Sequence, residues 1–294
     1  MAEQTAALPV EVMAALRDHG EPAGIERLGG MSRSRVYRVR FAEGSLVLKA
    51  HVSPAEAAFY ERVAGRLRPD GVPSPALLGV VQAGEASWLL LEDVPKPYPP
   101  LNRLPLDARM VATLARLHAA TRTWKLILPP PAHRPWSQEV TKEALSCFPA
   151  AAGELAPRLE ELQERSRHLE APWCWISGDP NPLNWGERAD GTLVLYDWEL
   201  FRRGVPATDL AITIAGLGNA EAYQALAGRY IDAWPDDAGP LPWTRDALAQ
   251  DVGLAKVASV VDFLSLYARG AVHATEGLID WLIESVPAWV CGFD

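Results

Sequence analysis

Cysteine is scarce in this chain, with three residues at Cys147, Cys174 and Cys291. The odd number and the long spacings exclude a disulfide framework or a thiol zinc site, and they predict reduced thiols in a cytoplasmic protein. No apolar run reaches the ~18 residues of a membrane span, so no membrane partner is expected. The opening MAEQTAALPVEVMAAL has an acid at Glu3 and no basic stretch before its apolar part, so it does not read as a secretory signal. An excess of basic charge is also missing. The 28 Lys and Arg face 37 Asp and Glu, for a net charge of -9. That balance argues against general nucleic-acid binding and gives weak support to a cationic substrate. There is no internal repeat and no low-complexity tail. What is present is ordinary for a globular protein, 49% apolar and 22% charged over 294 residues, enough for one large core or two domains.

The pattern changes once along the chain. Residues Leu8 to His19 read as a short amphipathic helix. Candidate strands follow at Ile25 to Leu28, Arg35 to Phe41 and Ser45 to Val52. The piece SPAEAAFYERVAGRL opens a helix, with Ser53 as N-cap, Pro54 at the first helical position and Glu56 where a capping box wants an acid. Two further strands, Ala76 to Gln82 and Ser87 to Glu92, flank the turn AGEA. After Val94 comes the Pro-rich PKPYPPLNRLP, and beyond it the chain is mainly helical. Helices are predicted over Leu106 to Ala120, Ser137 to Cys147, Gly153 to His168, Thr208 to Leu217, Ala220 to Trp234, Thr244 to Ala268 and Thr275 to Trp289. Two strands interrupt them, Trp173 to Ser177 and Thr192 to Asp197. The reading is α+β, with residues 1–93 as a small antiparallel-sheet lobe and 94–294 as a larger, mainly helical lobe.

The stretch ISGDPNPLNWGERADGTLVLYDWE, Ile176 to Glu199, carries the chemistry. Phosphoryl transfer from ATP needs the triphosphate held, its charge neutralised by magnesium, and the attacking hydroxyl oriented by a carboxylate. Magnesium takes oxygen ligands and keeps several waters. A D-x-x-x-x-N loop followed by an Asp at the end of a hairpin supplies those groups. Asp179 begins such a loop, Asn184 ends it and Asp197 lies at the end of the next strand. Pairing of the two predicted strands would bring Asn184 and Asp197 together around one metal and leave Asp179 toward an acceptor. The spacing is that of a kinase catalytic loop and its metal-binding Asp.

SGDPNPLNWG, GTLVLYDWELFRRG and VPATDLA resemble the signature of the aminoglycoside phosphotransferase and choline kinase family, whose usual form is HGDxHxxN, a hairpin, IDWE and G-x-P-x-x-DLA. LVLKAHVSPAEAAFYERVAGRL is similar to the family's third strand with its lysine and the helix carrying the acidic partner. SWLLLEDV resembles the strand leading to the hinge, and MVATLARLHAAT the A-x-L-x-x-LH helix. The likeness spans roughly residues 25 to 215 and implies a two-lobed, protein-kinase-like fold. It implies an ATP-dependent transfer, with GTP as the other nucleotide, to a hydroxyl of a small molecule such as an aminoglycoside, a choline-like amine, an amino-acid alcohol or a sugar. In that scheme Asp179 is the base, Asn184 and Asp197 hold Mg2+, and Lys49 holds phosphates. Gly30 and Ser32 cover the phosphates, while Glu92 and Val94 form the adenine hinge. Ser177 and Asn181 stand where the family commonly has His.

Plainer readings stand beside these. Asp and Asn are common turn residues next to Pro and Gly, Lys49 could lie on an exposed strand face, and a hairpin turn would account for Gly29 and Gly30. Glu56 has two rival geometries, one reaching back to its own helix start and one turning to Lys49, with Glu61 as the reserve partner. His118 reads as a brace beneath the catalytic loop. Asp209 reads as a helix cap or as a second fixing point for that loop. Among the C-terminal acids and tryptophans, Asp262 included, helix packing and a solvated face compete with recognition of a cationic group. The alternative function is a nucleotide-binding protein with little or no turnover, suggested by Ser177 and the sparse glycine loop. A protein kinase is disfavoured by the run from DWE straight into GVPATDLA.

Overall fold

A computed structural model describes residues 8–28, 35–94, 96–97 and 107–293. The expected Gly30 and Ser32 fall outside them. The chain divides into two compact units. One comprises the described residues within Met1–Asn102, Leu126–Ala132 and Leu183–Phe201, the other those within Arg103–Lys125, His133–Pro182 and Arg202–Asp294.

The first unit begins with α1 (Val10–Arg17), then β1 (Gly24–Leu28), β2 (Arg35–Arg40) and β3 (Ser45–Ala50). A helix broken at Val63 follows as α2 (Pro54–Arg62) and α3 (Ala64–Leu67), and then β4 (Leu77–Ala83) and β5 (Ala86–Glu92). These five strands form one sheet in the order β1-β2-β3-β5-β4, antiparallel throughout. The period-two alternation seen in the sequence sorts the two faces. Leu46, Leu48 and Ala50 of β3 join Tyr37, Val39, Trp88 and Leu90 in a core that also takes Val12 and Leu16 of α1. Lys49, in register with Leu89 of β5 and Val36 of β2, therefore points to the other face.

The same unit holds a small second sheet. The short β6 (Lys96–Pro97) pairs with β8 (Trp185–Glu187), and β8 pairs with β9 (Leu193–Leu195). Gly186 lies against Val94 and Tyr196 so closely that a Cβ would overlap both, which is why a glycine fits there and a side chain does not.

The helical unit contains α4 (Ala108–Thr121), α5 (Gln138–Leu145), α6 (Ala152–Ser166), β7 (Cys174–Ile176) and β10 (Arg202–Gly204). It continues with α7 (Pro206–Thr213), α8 (Ala220–Asp232), α9 (Arg245–Ala268) and α10 (Glu276–Cys291). Helix α9 packs on α5, α6, α7 and α8. Its buried residues, from Leu248 through Leu264 to Ser265, run round the helix rather than along one stripe, as expected of a central helix.

One pairing differs from the sequence expectation. The strands predicted around Trp173 to Ser177 and Thr192 to Asp197 do not pair with each other. The first, β7, pairs with β10, with Ile176 opposite Arg202. The second, β9, pairs with β8. Both unpredicted partners are three residues long, too short to show an alternation. Among the described residues no helix is long and apolar enough to cross a membrane.

Candidate active site

In the sheet unit, Lys49 meets one acid from the helix that follows it and one from a remote part of the chain. Its Nζ donates to Glu56 Oε1 at 2.7 Å and to Asp197 Oδ1 at 2.7 Å. Packing explains the meeting. Phe59 of α2 stacks on Trp198 at 4.2 Å between ring centroids and meets Phe201 edge-on at 4.9 Å. Those three buried rings hold α2 against the segment that follows β9, so the acid one turn before Phe59 and the acid one residue before Trp198 reach the same amine. Asp197 itself sits in the left-handed region at φ 61°, a conformation that costs an Asp of order 1 kcal/mol and is found at functional sites.

The two geometries considered for Glu56 turn out to be compatible. Ser53 caps α2 with its own hydroxyl, accepting from the Glu56 N–H at 3.2 Å, while the Glu56 carboxylate is left free to bond Lys49. Glu61, the reserve partner, is exposed. Burial by itself works against the Lys49 charge, but the carboxylates of Glu56 and Asp197 outweigh it and hold the ammonium above its usual range. Burial pushes the Glu56 carboxyl up, only partly offset by Lys49.

Glu199 was missed in the sequence. Its carboxylate comes within 4.8 Å of those of Glu56 and Asp197, a set able to hold a cation. Burial raises its pKa, and Asp197 raises it further. Glu56 Oε2 is buried and has no hydrogen-bond partner. A buried orphan oxygen beside two further carboxylates suits a divalent cation of the magnesium type. Asn184 lies at the same end of the β8–β9 hairpin as Asp197, because its carbonyl accepts from the Tyr196 N–H at 2.9 Å, one step beyond the Trp185–Leu195 pair. The backbones of Asn184 and Asp197 thus come to one end through the pairing of β8 with β9, not through pairing of the two predicted strands.

Glu92 and Val94, the residues expected at the hinge, are tied to that hairpin. Glu92 ends β5 and takes a two-pronged contact from Arg188, at 2.6 and 2.7 Å, and a third bond from the Ala76 N–H at 3.0 Å. Arg188 chiefly holds the Glu92 carboxyl below its usual range. Val94 packs over Gly186. Arg188 gave no signal in the sequence beyond being a charge next to a turn.

In the helical unit, the loop carrying Asp179 is fixed from below. Asp209, fully buried on α7, accepts from the Ser177 and Gly178 N–H groups at 2.8 Å each. Its Oδ2 also bonds His118 Nε2 at 3.1 Å, and His118 Nδ1 meets the Tyr230 hydroxyl at 2.9 Å. In the arrangement that satisfies every group, Nε2–H donates to Asp209 and Nδ1 accepts from Tyr230. Gly178, at φ 84°, takes the left-handed turn that delivers Asp179, a conformation costly to a residue with a Cβ. Of the two readings of Asp209, the loop anchor is the one observed, and His118 is its brace. Ser177 is held through its backbone, so the loop is anchored without a His at that position.

A family model described as the APH phosphotransferase enzyme family matches residues 24–249. The chain belongs to that family. Solved structures share the fold at low identity. A choline kinase from Streptococcus pneumoniae is 16% identical, with 96% of this chain and 98% of that one covered, at a TM-score of 0.59. A spectinomycin phosphotransferase in complex with ADP and spectinomycin is 11% identical over 90% of this chain and 88% of that one, at a TM-score of 0.64. A macrolide 2'-phosphotransferase from Brachybacterium faecium is 18% identical over 92% and 96%, at a TM-score of 0.59. No curated protein matches the sequence. The chain therefore has the kinase-like fold of small-molecule phosphotransferases, with an antiparallel-sheet region followed by a helical one.

Proposed function

We propose that this phosphotransferase moves the γ-phosphoryl group of ATP to a hydroxyl of a small molecule. The observation that carries the reading is the pair of hydrogen bonds from Lys49 Nζ to Glu56 and Asp197, which fixes a buried, charged ammonium where it can meet phosphate oxygens. Asp179 accepts the proton of the acceptor hydroxyl. That oxygen bonds to the γ-phosphorus, the bond from the γ-phosphorus to the β–γ bridging oxygen breaks, and ADP leaves. Asp209, His118 and Tyr230 keep Gly178 in place, so that Asp179 need not be reoriented at each turnover. Asn184 and Asp197, with Glu199 beside them, are the oxygen donors for Mg2+. A bound magnesium ion supplies neutralisation of the triphosphate charge. Glu92 and Val94, held by Arg188 and Gly186, present hinge backbone groups to the nucleotide base.

An ADP-release screen over hydroxylated metabolites and antibiotics tests the reading. Turnover with at least one acceptor is expected. Asp179→Ala should lower kcat by about a thousandfold or more while nucleotide affinity stays within about twofold. Turnover near the parent rate in that variant removes Asp179 from the mechanism.

A further inference from the structure

The face of the main sheet turned away from Lys49 holds a cavity of about 250 Å3. Its walls include the rings of Tyr37 and Trp88, the residues Leu8 and Pro9 just before α1, and two nitrogen-bearing side chains, Arg35 and His51. Strand register brings them together. Arg35 of β2 lies opposite Ala50 of β3, and Ala50 lies opposite Trp88 of β5. Arg35 and Trp88 therefore stand two strands apart, with about 10 Å between their backbones. Arg35 shares a strand face with Tyr37, two residues on. Tyr37 lies nearly parallel to Trp88 at 6.3 Å between ring centroids, and the His51 ring is tilted to Trp88 at 6.5 Å.

The fold leaves these groups unused. Arg35 and His51 are exposed, and neither side chain forms a hydrogen bond or ion pair with a described residue. Trp88 Nε1 is buried without an acceptor, whereas an indole N–H in a protein interior normally finds one. His51 holds φ 56°, and among the described residues Asp197 is the one other non-glycine in the left-handed region. Such backbone is costly to a residue with a Cβ, and it gathers at active sites and ligand clamps.

The polar groups are of one electrical kind. A guanidinium and an imidazole line the cavity, and no described carboxylate does. A cationic amine would meet Arg35 as a like charge, while an anion would meet it as a partner. Size narrows the choice further. Pockets for drug-sized ligands begin near ~300 Å3, so this cavity suits a molecule of one or two rings and is too small for a nucleotide. The two aromatic walls favour a flat apolar body over a sugar.

We propose that this cavity binds a small aromatic carboxylate, its ring against Trp88 and Tyr37 and its carboxylate on Arg35, with His51 as the second donor. A planar guanidinium meets a carboxylate through two parallel bonds. The site does not depend on the phosphotransferase reading. Lys49 lies on the opposite face of the same sheet, so a ligand here and a nucleotide at Lys49 do not exclude each other.

Isothermal titration calorimetry of the full chain with benzoate and indoleacetate tests the site. Each acid is set beside its neutral amide, with acetate and inorganic phosphate as anions that lack a ring. A dissociation constant below about 1 mM is expected for at least one of the two acids, about tenfold or more tighter than for its amide or for either ringless anion. Saturating ADP should leave that constant within about twofold. Arg35→Gln should weaken the acid about tenfold and leave the amide unchanged. His51→Asn keeps a residue that tolerates the left-handed backbone, and it should weaken the acid less. In isotope-labelled protein, the indole N–H signal that Trp88→Phe removes should shift as the acid is added. Should Trp88→Phe fail to fold, Arg35→Gln, at an exposed position, decides alone. Equal binding of acid and amide, or of acid and phosphate, would overturn the proposal. So would displacement of the acid by ADP, an unchanged constant in either folded variant of Arg35 or His51, or no binding of either acid.

Discussion

Each unit buries one lysine, and the two are equally hidden: Lys49 and Lys256 are both 7% exposed. Their surroundings drive them in opposite directions. In the sheet unit, two carboxylates hold the Lys49 ammonium above its usual range against the cost of burial. In the helical unit, Lys256 of α9 has, among the described residues, only the Ile214 carbonyl as partner, at 2.7 Å, and burial lowers its pKa to about 8. Burial alone thus does not decide the charge of a lysine. Two full negative charges outweigh burial and raise the ammonium pKa, and one carbonyl dipole does not offset burial. The first arrangement suits a residue that must stay cationic beside phosphates. The second suits a residue that satisfies the C-terminal end of α7, the helix bearing Asp209.

The sharpest way to break the comparison is Lys49→Met. It leaves Glu56 and Asp197 without their cation and should destabilise the protein by about 3–5 kcal/mol at pH 8, read by urea unfolding, with loss of ATP turnover. The sign of its pH dependence follows from Glu56. Without Lys49 the raised carboxyl pKa rises further, so the folded state binds a proton that the unfolded state releases above its own lower pKa. The penalty should therefore be small near pH 5 and grow toward pH 8. An equal penalty at both values would show that Glu56 does not take up the proton.

The second prediction concerns Lys256. Below about pH 8 both folded and unfolded states hold its proton. Between about 8 and 10.5 the unfolded state keeps it while the folded state loses it. Stability carried by this residue should rise with pH across that window, by roughly 3 kcal/mol at most. Lys256→Met should flatten the rise, and an unchanged profile in the variant would contradict the depressed pKa.

Smaller effects sharpen the picture. Combining Lys49→Met with Glu56→Gln should recover about 1–2 kcal/mol relative to the single change, because an uncharged amide costs less to bury than an orphan carboxylate. Perfect additivity would mean that the pair is not coupled. Tyr230→Phe removes one neutral hydroxyl from His118 and should cost about 1 kcal/mol by thermal unfolding. A loss as large as that of Lys49→Met would show that the Tyr230–His118 bond carries more than the placement of a ring.

Much of this was legible in the sequence where a period or a cap was long enough to read. The alternation in SLVLKA allowed Lys49 a face other than that of its apolar neighbours, and the Ser53–Pro54 start fixed α2. The spacing of Asp179, Asn184 and Asp197 pointed to phosphoryl transfer before any pairing was known. What escaped was short or unperiodic. WGE and RRG form strands only because partners lie beside them. Arg188, Glu199 and Arg202 look like surface charges until their neighbours are known, and nothing in VGLAKVASVV distinguishes Lys256 as a lysine whose pKa burial will lower.

The sequence by itself determined the order of elements, the faces of the main sheet and the residue types that phosphoryl transfer requires, because these depend on interactions within a few positions along the chain. Only the tertiary structure decided which acids meet Lys49, which strand pairs with β7 and which carboxylates gather beside Asp197. Those outcomes depend on contacts between residues as far apart as Lys49 and Asp197, and on the packing of Phe59, Trp198 and Phe201 that brings such residues together.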